Sequence, residues 1–350
     1  MFAILFQKNL EPKPESYLAN TTTKGDPMYL NQPPQKLTLK DLLRKCYRKI
    51  QALFGQTDFV PSGHFYSPIA NNKEIEEGIA NISYDPLCLY GIDLRLDSQL
   101  KLLKAFGTLY QEMPFSEEPT NNLRYYFNNQ AYCHSDGICL YSMLRLIQPK
   151  RIIEVGSGFS SALMYDVNEL FFAANSLGGG GNTNLEAQTK QESSITITHI
   201  EPHPALLKSL LKPGDLACLN LIPKRLQEVD IDLFKTLDSG DILFIDSTHV
   251  SKINSDVNRI FFEILPTLKK GVYIHFHDIF YPFSYPAQWL RAKNSWNEAY
   301  LLRAFLSYNT NFRIVFFNTA LNYLYPELFA TTLPLSQKNT GGSIWLEKIC

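Results

Sequence analysis

From Lys150 onward, short apolar runs alternate with longer segments whose apolar positions recur at helical spacing. The runs have the length of β-strands: "RIIEV", "ITITHI", "CLNLI", "DILFID", "GVYIHF" and "FRIVFF". Helix-like segments such as "SSALMYDVNELFFAA" and "WNEAYLLRAFLSY" separate them. Continuous apolar strands between amphipathic helices predict a parallel sheet with helices on both faces. A last run, "GGSIWLEKI", is predicted to return antiparallel beside "FRIVFF".

Two stretches lack this alternation. Residues 1 to about 60 mix proline, threonine and polar residues around one basic amphipathic helix candidate at 38–55, and the extension they begin is predicted to run to residue 90. We therefore predict a partly irregular, partly helical extension ahead of a main domain at 91–350. Residues 175–194 are rich in glycine, serine, asparagine and glutamine and have no apolar periodicity, which predicts a flexible surface insertion.

Composition excludes several functional classes. The chain is 45% hydrophobic and 19% charged, with a net charge of -1, so nothing favours nucleic acid or an anionic membrane as partner. No run approaches the ~20 apolar residues of a membrane helix, and the first apolar run is too short for a signal peptide. Six cysteines without CxxC spacing favour free thiols in a reducing compartment. We predict a cytoplasmic protein that binds a small molecule, and a homo-oligomer is left open.

The stretch "RIIEVGSGFSS" joins the first strand run to the first helix. Gly156 and Gly158 allow a sharp turn and a close approach of the backbone to a ligand. A dinucleotide-binding GxGxxG motif would need glycine or alanine at position 161, where Ser161 stands. Glu154 would face a pyrophosphate anion, whereas it could accept hydrogen bonds from the ammonium group of an amino-acid-bearing cofactor. We predict cofactor contacts at Glu154, Gly156, Gly158 and Ser160.

Two further cofactor contacts are predicted after the second and third strands. Glu201 ends the second strand run, where a carboxylate can bind both hydroxyls of a ribose. Without the insertion it lies about twenty residues beyond the glycines, close to the expected spacing. The alternative is a surface acid that caps the helix beginning near Pro204. Gln227 follows the third strand, near the expected position of an adenine.

Carboxylates and imidazoles follow the fourth and fifth strands, at Asp246, His249, His277 and Asp278. Because neighbouring parallel strands end at one edge of the sheet, we expect these side chains to converge on one crevice. Such oxygen and nitrogen ligands could hold a divalent metal. Equally, a histidine could act as a general base that an aspartate orients. His199 and His203 are predicted to be structural.

With these residues assembled, the chain from about residue 91 resembles the class I S-adenosylmethionine-dependent methyltransferases. "EVGSGFSS" is similar to their glycine-rich first motif, "HIEPHP" to the acidic end of their second strand and "DILFIDSTHV" to their fourth-strand motif. "NSDVNRIFFEILPTLKKGVYIHFHDIFYPFSYP" and "WNEAYLLRAFLSYN" are similar to a bacterial subgroup of small-molecule methyltransferases with no single agreed substrate.

The resemblance implies a Rossmann-like, seven-stranded, mostly parallel sheet with an antiparallel last strand and S-adenosyl-L-methionine as cofactor. Glu154, Gly156 and Gly158 would line the methionine part of the cofactor, and Glu201 would hold its ribose. Asp246 is predicted to belong both to the cofactor site and to the catalytic site.

The metal-dependent, catechol-type branch of this fold implies ligands for Mg²⁺ or another divalent ion at Asp246, His277 and Asp278. It also has a basic residue three places after the first ligand, where this chain has His249. One ligand position departs from that branch, with a histidine in place of an aspartate.

The resulting hypothesis is O-methylation of a small-molecule or sugar hydroxyl. His249 or His277 would remove the proton, and Asp246 with Asp278 would position the hydroxyl, directly or through Mg²⁺. The aromatic loop "HDIFYPFSYP" and the segment "RYYFNNQAYCHSD" would cover the acceptor, with Asp136 and Tyr126 as contacts.

Two other functional classes fit the same fold. One is an NAD(P)-dependent oxidoreductase, against which Glu154 argues. The other is a non-catalytic nucleoside-binding member, against which the Glu154/Glu201 pair and the polar strand ends argue together.

Overall fold

The structure is a computed structural model that describes residues 59–173 and 194–350. The chain divides after residue 61, and residues 62–350 form one compact unit. The domain boundary predicted at residue 91 stays a prediction. The helix predicted at 38–55 and nearly all of the insertion predicted at 175–194 lie outside the described residues.

Seven strands form one sheet in the order β3-β2-β1-β4-β5-β7-β6 within the described chain. β1 through β5 run parallel, and β7 lies antiparallel between β5 and β6. The seven-stranded, mostly parallel sheet with an antiparallel last strand is therefore confirmed. The strands are β1 (Arg151–Val155), β2 (Thr196–Ile200), β3 (Asn220–Ile222), β4 (Ile242–Ile245), β5 (Tyr273–Phe276), β6 (Phe312–Phe317) and β7 (Ile344–Lys348).

Helices precede the sheet and connect its strands. Single turns of 3₁₀- or π-helix extend several of them, as at Asn168–Ala173 and Ile260–Ile264. The α-helices are α1 (Asn72–Ala80), α2 (Leu96–Tyr110), α3 (His134–Ile147), α4 (Phe159–Val167), α5 (Ala205–Leu210), α6 (Asp256–Arg259), α7 (Leu265–Thr267), α8 (Ala287–Arg291), α9 (Glu298–Leu306), α10 (Asn318–Leu324) and α11 (Pro326–Thr332).

The two faces of the sheet bury separate apolar cores. Successive residues of a strand point to opposite faces, and β4 shows this directly. Leu243 packs in one core, with α9 residues such as Leu302. Phe244 packs in the other, with α3 and α4 residues such as Leu140 and Leu163. Burial on both faces explains why the strand runs are apolar throughout instead of alternating.

The strand register brings the predicted site positions to one edge of the sheet. Val155 pairs with Ile200 on one side and with Ile245 on the other, and Ile245 pairs with Phe276. The residue after each of these four strand ends is Gly156, Glu201, Asp246 or His277. Strand order reverses at β1, which is where an open parallel sheet forms a ligand-binding crevice.

No helix in residues 59–173 or 194–350 is long and apolar enough to cross a membrane.

Candidate functional site

The turn after β1 requires glycine at one of its two glycine positions. Gly156 has φ +80°, and a Cβ atom there would lie 2.0 Å from the backbone oxygen of Asp246. Gly158 is extended, and a Cβ atom there would lie 3.1 Å from Cδ2 of Leu206, the end of a flexible side chain. The first glycine therefore permits close contact between the turn and the end of β4, while the second is less strictly required.

Glu154 lies beneath this turn, fully buried. Its two oxygens accept hydrogen bonds from Ser160 Oγ (2.7 Å) and Ser161 Oγ (2.6 Å), and His199 Nδ1 lies 2.6 Å from one of them. Ser161 Oγ also accepts a hydrogen bond from Gly158 N (3.1 Å). The buried carboxylate thus fixes the first turn of α4. The direct cofactor contact expected of Glu154 and Ser160 is not what this geometry shows, because neither side chain lines the cleft described next.

A cleft of about 390 Å³ opens above the turn, a volume within the range of small-molecule sites. Four residues predicted to bind the cofactor line it: Gly156, Glu201, Gln227 and Asp246. Residues of the loops after β2 and β4, such as Pro202 and Thr248, complete the wall. The ends of β1, β2 and β4 therefore build this cleft together.

Glu201 spans two loops at the mouth of the cleft. Its Oε2 accepts a hydrogen bond from Ser157 N (3.2 Å), and its Oε1 accepts one from His203 N (2.6 Å). Each carboxylate oxygen keeps further lone-pair capacity for a ligand hydroxyl. Gln227, on the far side of the cleft, donates from Nε2 to the backbone oxygen of Asn254 (2.8 Å), which fixes its side chain.

His277, just after β5, lies between carboxylates. Its Nε2 is 3.4 Å from Asp136 Oδ2, and its Nδ1 is 3.3 Å from Asp246 Oδ1 and 3.8 Å from Asp278 Oδ1. Asp136, in the first turn of α3, is buried and also accepts from Asn318 Nδ2 (3.1 Å). Asp136 is thereby fixed beside the imidazole, so its role here is to hold His277 and not to meet a solvent-borne ligand.

His249, three residues after Asp246, has a similar environment. Its Nδ1 lies 2.9 Å from Glu298 Oε2, and its Nε2 lies 3.4 Å from Asp278 Oδ2 and 3.6 Å from Asp246 Oδ1. Glu298 is the first residue of α9 and is fully buried. Its other oxygen accepts from Ser247 Oγ (3.0 Å). Two carboxylate–imidazole pairs, Asp136/His277 and Glu298/His249, therefore converge on Asp246 and Asp278. We call these six side chains the imidazole cluster.

The charges of the cluster shift its pKa values in both directions. Burial alone would lower the pKa of His277, but Asp278 and Asp246 outweigh burial and hold it well above 6.5. Burial is likewise outweighed at His249, whose pKa the Glu298 carboxylate raises. Burial raises the pKa of Asp278. At Asp246 burial acts in the same sense, but the adjacent His277 lowers the pKa below 3.8. Both imidazoles therefore keep their protons to higher pH than a free histidine does.

Comparison with known proteins identifies the family of this chain. A family model described as a methyltransferase domain matches residues 153–279, from β1 to just after β5. An uncharacterized protein of Archaeoglobus fulgidus is 35% identical over 189 residues, which are 52% of this chain and 75% of that protein. The chain belongs to the class I S-adenosylmethionine-dependent methyltransferases. It is an enzyme of that class, with S-adenosylmethionine as its cofactor.

Among solved structures, that of the Podospora anserina methyltransferase PaMTH1 bound to SAH is similar to this methyltransferase at a TM-score of 0.37. The two chains are 14% identical, and the match covers 81% of this chain and 99% of the other.

The cleft residues of this methyltransferase fit a nucleoside cofactor. The carboxylate of Glu201 is held by two backbone N–H groups and has acceptor capacity left for a ribose diol. Gln227 lies across the cleft with its amide fixed. Asp246 reaches both the cleft wall and the imidazole cluster.

The predicted metal ligands do not form a ligand set. Within residues 59–173 and 194–350, no group of three or more His, Cys, Asp and Glu side chains is placed to hold a metal ion. Asp246 and Asp278 instead contact the nitrogen atoms of His277 and His249, with Asp246 Oδ1 3.3 Å from His277 Nδ1. The carboxylates that would ligate a metal are thus already in contact with imidazole nitrogens.

Three more residues near the site can now be placed. Tyr126, predicted to contact the acceptor, packs edge-on against Phe159 at 5.6 Å between ring centroids. His199, predicted to be structural, contacts Glu154 beneath the turn. Glu298 was missed altogether. The only signal for it is an acidic residue at the start of a helix, which normally indicates a surface position favoured by the helix dipole.

Proposed function

We propose that this methyltransferase transfers a methyl group to a hydroxyl oxygen of a small molecule, and that His249 or His277 removes the hydroxyl proton. The observation that supports this is the pair of carboxylate-held imidazoles beside the cofactor cleft. Asp246 connects the two parts, because it lines the cleft and also lies 3.3 Å from His277 Nδ1.

S-adenosylmethionine, when bound, supplies an electrophilic methyl group on sulfur. The chain's own contributions are orientation and removal of a proton. Glu201 and Gln227 hold the nucleoside end at the β2 and β3 side of the cleft. Asp246 and Asp278 accept hydrogen bonds from the acceptor hydroxyl and direct its oxygen toward the cleft.

The proton passes to His277 Nδ1 or His249 Nε2, the ring nitrogens that face Asp246 and Asp278. The other nitrogen of each ring faces Asp136 or Glu298. A carboxylate in that position fixes the orientation of the ring and stabilises the imidazolium that forms on proton transfer. The pKa values of both histidines are raised, so a higher pH is needed to obtain the neutral, proton-accepting imidazole.

Calorimetric titration with S-adenosylhomocysteine, with Mg²⁺ and with EDTA, tests the cofactor and the metal requirement together. We expect binding in both buffers, because the nucleoside contacts involve no metal. Binding of NADH and none of S-adenosylhomocysteine would support the oxidoreductase alternative instead.

A double variant, His249→Gln with His277→Gln, tests the base. We expect it to bind S-adenosylhomocysteine as the wild type does, and to lose ~10²–10⁴-fold in methyl transfer. Turnover that survives both substitutions would contradict the assignment of either histidine as base.

A further inference from the structure

An aromatic recess of about 400 Å³ lies at the carboxyl ends of β5 and β6. The loop after β5 supplies Phe280 and Tyr281, α10 supplies Tyr323, and Tyr84 closes one side. The rings are held in place by their own contacts. Tyr281 Oη donates to the backbone oxygen of Tyr84 (2.7 Å), and Phe280 packs edge-on against Trp289 (5.1 Å). The recess is therefore preformed, as small-molecule sites usually are.

The recess adjoins the imidazole cluster. Phe280 follows Asp278 by two residues, and both contact the same glycine. A Cβ atom at Gly342 would lie 2.7 Å from Phe280 Cζ and 3.3 Å from Asp278 Cα. On the α10 side, Thr319 lines the recess, and Asn318 before it donates to Asp136 Oδ1 (3.1 Å). The sheet order places β5 between β4 and β7, so the cluster stands between the cofactor cleft and this recess.

The lining chemistry restricts the ligand to an uncharged one. No Asp, Glu, Lys, Arg or His is among the described residues that line the recess. An ionised carboxylate, phosphate or amine would lose part of its hydration in the recess and find no countercharge there, which costs free energy.

The polar lining distinguishes a hydroxyl-rich ring from a plain aromatic one. Ser284, Thr319, Asn322 and Thr340 all face the recess. Hydroxyl and amide side chains both donate and accept, which suits ligand hydroxyl groups that do the same. Thr319 Oγ1 already accepts from Tyr281 N (2.9 Å) and Asn322 Oδ1 from Gln337 Nε2 (2.9 Å), which leaves their donor hydrogens for a ligand. A plain aromatic ring would offer no acceptor to these donors, at ~1–3 kcal/mol for each donor that it buries.

Aromatic faces remain available to a ring of that kind. Tyr84 and Tyr323 stack on each other at 4.7 Å between centroids, and their side chains are 40% and 53% exposed. A sugar ring has an apolar C–H face and a polar rim, which matches tyrosine rings flanked by hydroxyl and amide groups.

We propose that this recess binds the methyl acceptor and that the acceptor is an uncharged sugar ring. The inference rests on the proposed O-methyltransferase function for its chemistry, but binding in the recess can be measured separately.

Saturation-transfer NMR on the full chain tests the binding. The probes are methyl glycosides of the common hexoses, compared with glucose 6-phosphate, glucuronate, glucosamine and phenol. We expect contact signals from at least one methyl glycoside and weaker or no signals from the other probes. Tyr323→Ala should weaken binding of that glycoside by about tenfold, because the stacking ring is lost. Tyr308→Ala is the control, because Tyr308 is 80% exposed and lies outside the recess.

Three results would overturn the inference: signals confined to the charged probes or to phenol, glycoside signals that Tyr323→Ala leaves unchanged, or no signal from any glycoside. Calorimetry with S-adenosylhomocysteine on the same sample distinguishes failure of the recess assignment from failure of the proposed function. A chain that binds S-adenosylhomocysteine without glycosides loses the recess assignment alone. A chain that binds glycosides through Tyr323 without S-adenosylhomocysteine keeps the recess as a sugar site and loses the proposed O-methylation.

Discussion

The cofactor cleft and the imidazole cluster are built in different ways, although they share Asp246. The cleft is formed mainly by backbone: each strand pairs with its neighbour up to its last residue, and Gly156 lets the turn pack on the end of β4. The cluster is formed by side chains from segments far apart in sequence. Asp136 comes from α3 and Glu298 from α9, and both are buried against an imidazole. Local sequence determines the first region, and tertiary packing determines the second.

The largest expected effect concerns the backbone contact in the cleft. Gly156→Ala would place a methyl group 2.0 Å from the backbone oxygen of Asp246 at a positive φ, so the turn and the end of β4 must move apart. We expect a loss of about 2–4 kcal/mol in the free energy of unfolding, with binding of S-adenosylhomocysteine abolished. Denaturant titration and calorimetry measure the two effects.

Gly158→Ala is the matched control, because a Cβ atom there meets only the tip of Leu206. Equal effects at both glycines would mean that the turn tolerates no side chain for a reason other than its contact with β4.

This contrast explains which features the sequence could predict. Apolar runs and glycine spacing predicted the sheet, its antiparallel last strand and the gathering of Glu201, Asp246 and His277 at one edge, because these follow from strand order and register. The orientation of Glu154 was harder, since a strand residue near the turn can point to the cleft or beneath it. Its three partners come from α4 and β2.

Glu298 could not be predicted for a physical reason. An acidic residue at the start of a helix is favourable in solvent through the helix dipole, so its type carries no information about burial. Its burial depends on how α9 docks on the loop after β4, where the backbone N–H groups of Asn297 and Glu298 both donate to His249 O (3.0 and 3.2 Å).

The next prediction tests whether tertiary packing in the cluster is functional. Glu298→Gln should lower kcat for methyl transfer by ~10–100-fold, because a neutral amide no longer stabilises the His249 imidazolium. Affinity for S-adenosylhomocysteine should stay unchanged. Glu263→Gln is the control, because it makes the same change at an exposed carboxylate. If Glu298→Gln left kcat unchanged while it lowered the melting temperature, the residue would be structural only.

The pH dependence gives a smaller but more specific effect. Because the pKa of His249 and of His277 is raised above 6.5 in the folded enzyme, the neutral, proton-accepting imidazoles form at higher pH than in a free histidine. We expect kcat to rise with pH through and beyond neutrality. Glu298→Gln should move that rise to lower pH, since removing the carboxylate lowers the pKa of His249. Rates of methyl transfer measured from pH 5 to 9 provide both curves, and a rise centred at or below pH 6 in the wild type would contradict the assignment.

The same shifts affect stability with a definite sign. A histidine whose pKa is raised on folding contributes stability that is present below its unfolded pKa of ~6.5 and is lost as pH rises through the folded pKa. The melting-temperature difference between the wild type and His249→Gln should therefore shrink from pH 6 toward pH 9.

The smallest expected effect tests the turn's departure from a dinucleotide motif. Ser161→Ala removes one hydroxyl donor to the buried Glu154 and the acceptor for Gly158 N. It also introduces alanine, which a dinucleotide-binding motif allows at this position. We expect a loss of about 1–2 kcal/mol in the free energy of unfolding and at most a few-fold weaker binding of S-adenosylhomocysteine. No affinity for NADH should appear, because Glu154 stays buried against Ser160 and His199 and the turn keeps its shape. Ser209→Ala is the control, since its hydroxyl bonds only to its own helix at Leu206 O. Calorimetry with NADH decides the point: measurable binding after this single change would show that the Ser161 side chain excludes a dinucleotide from the cleft.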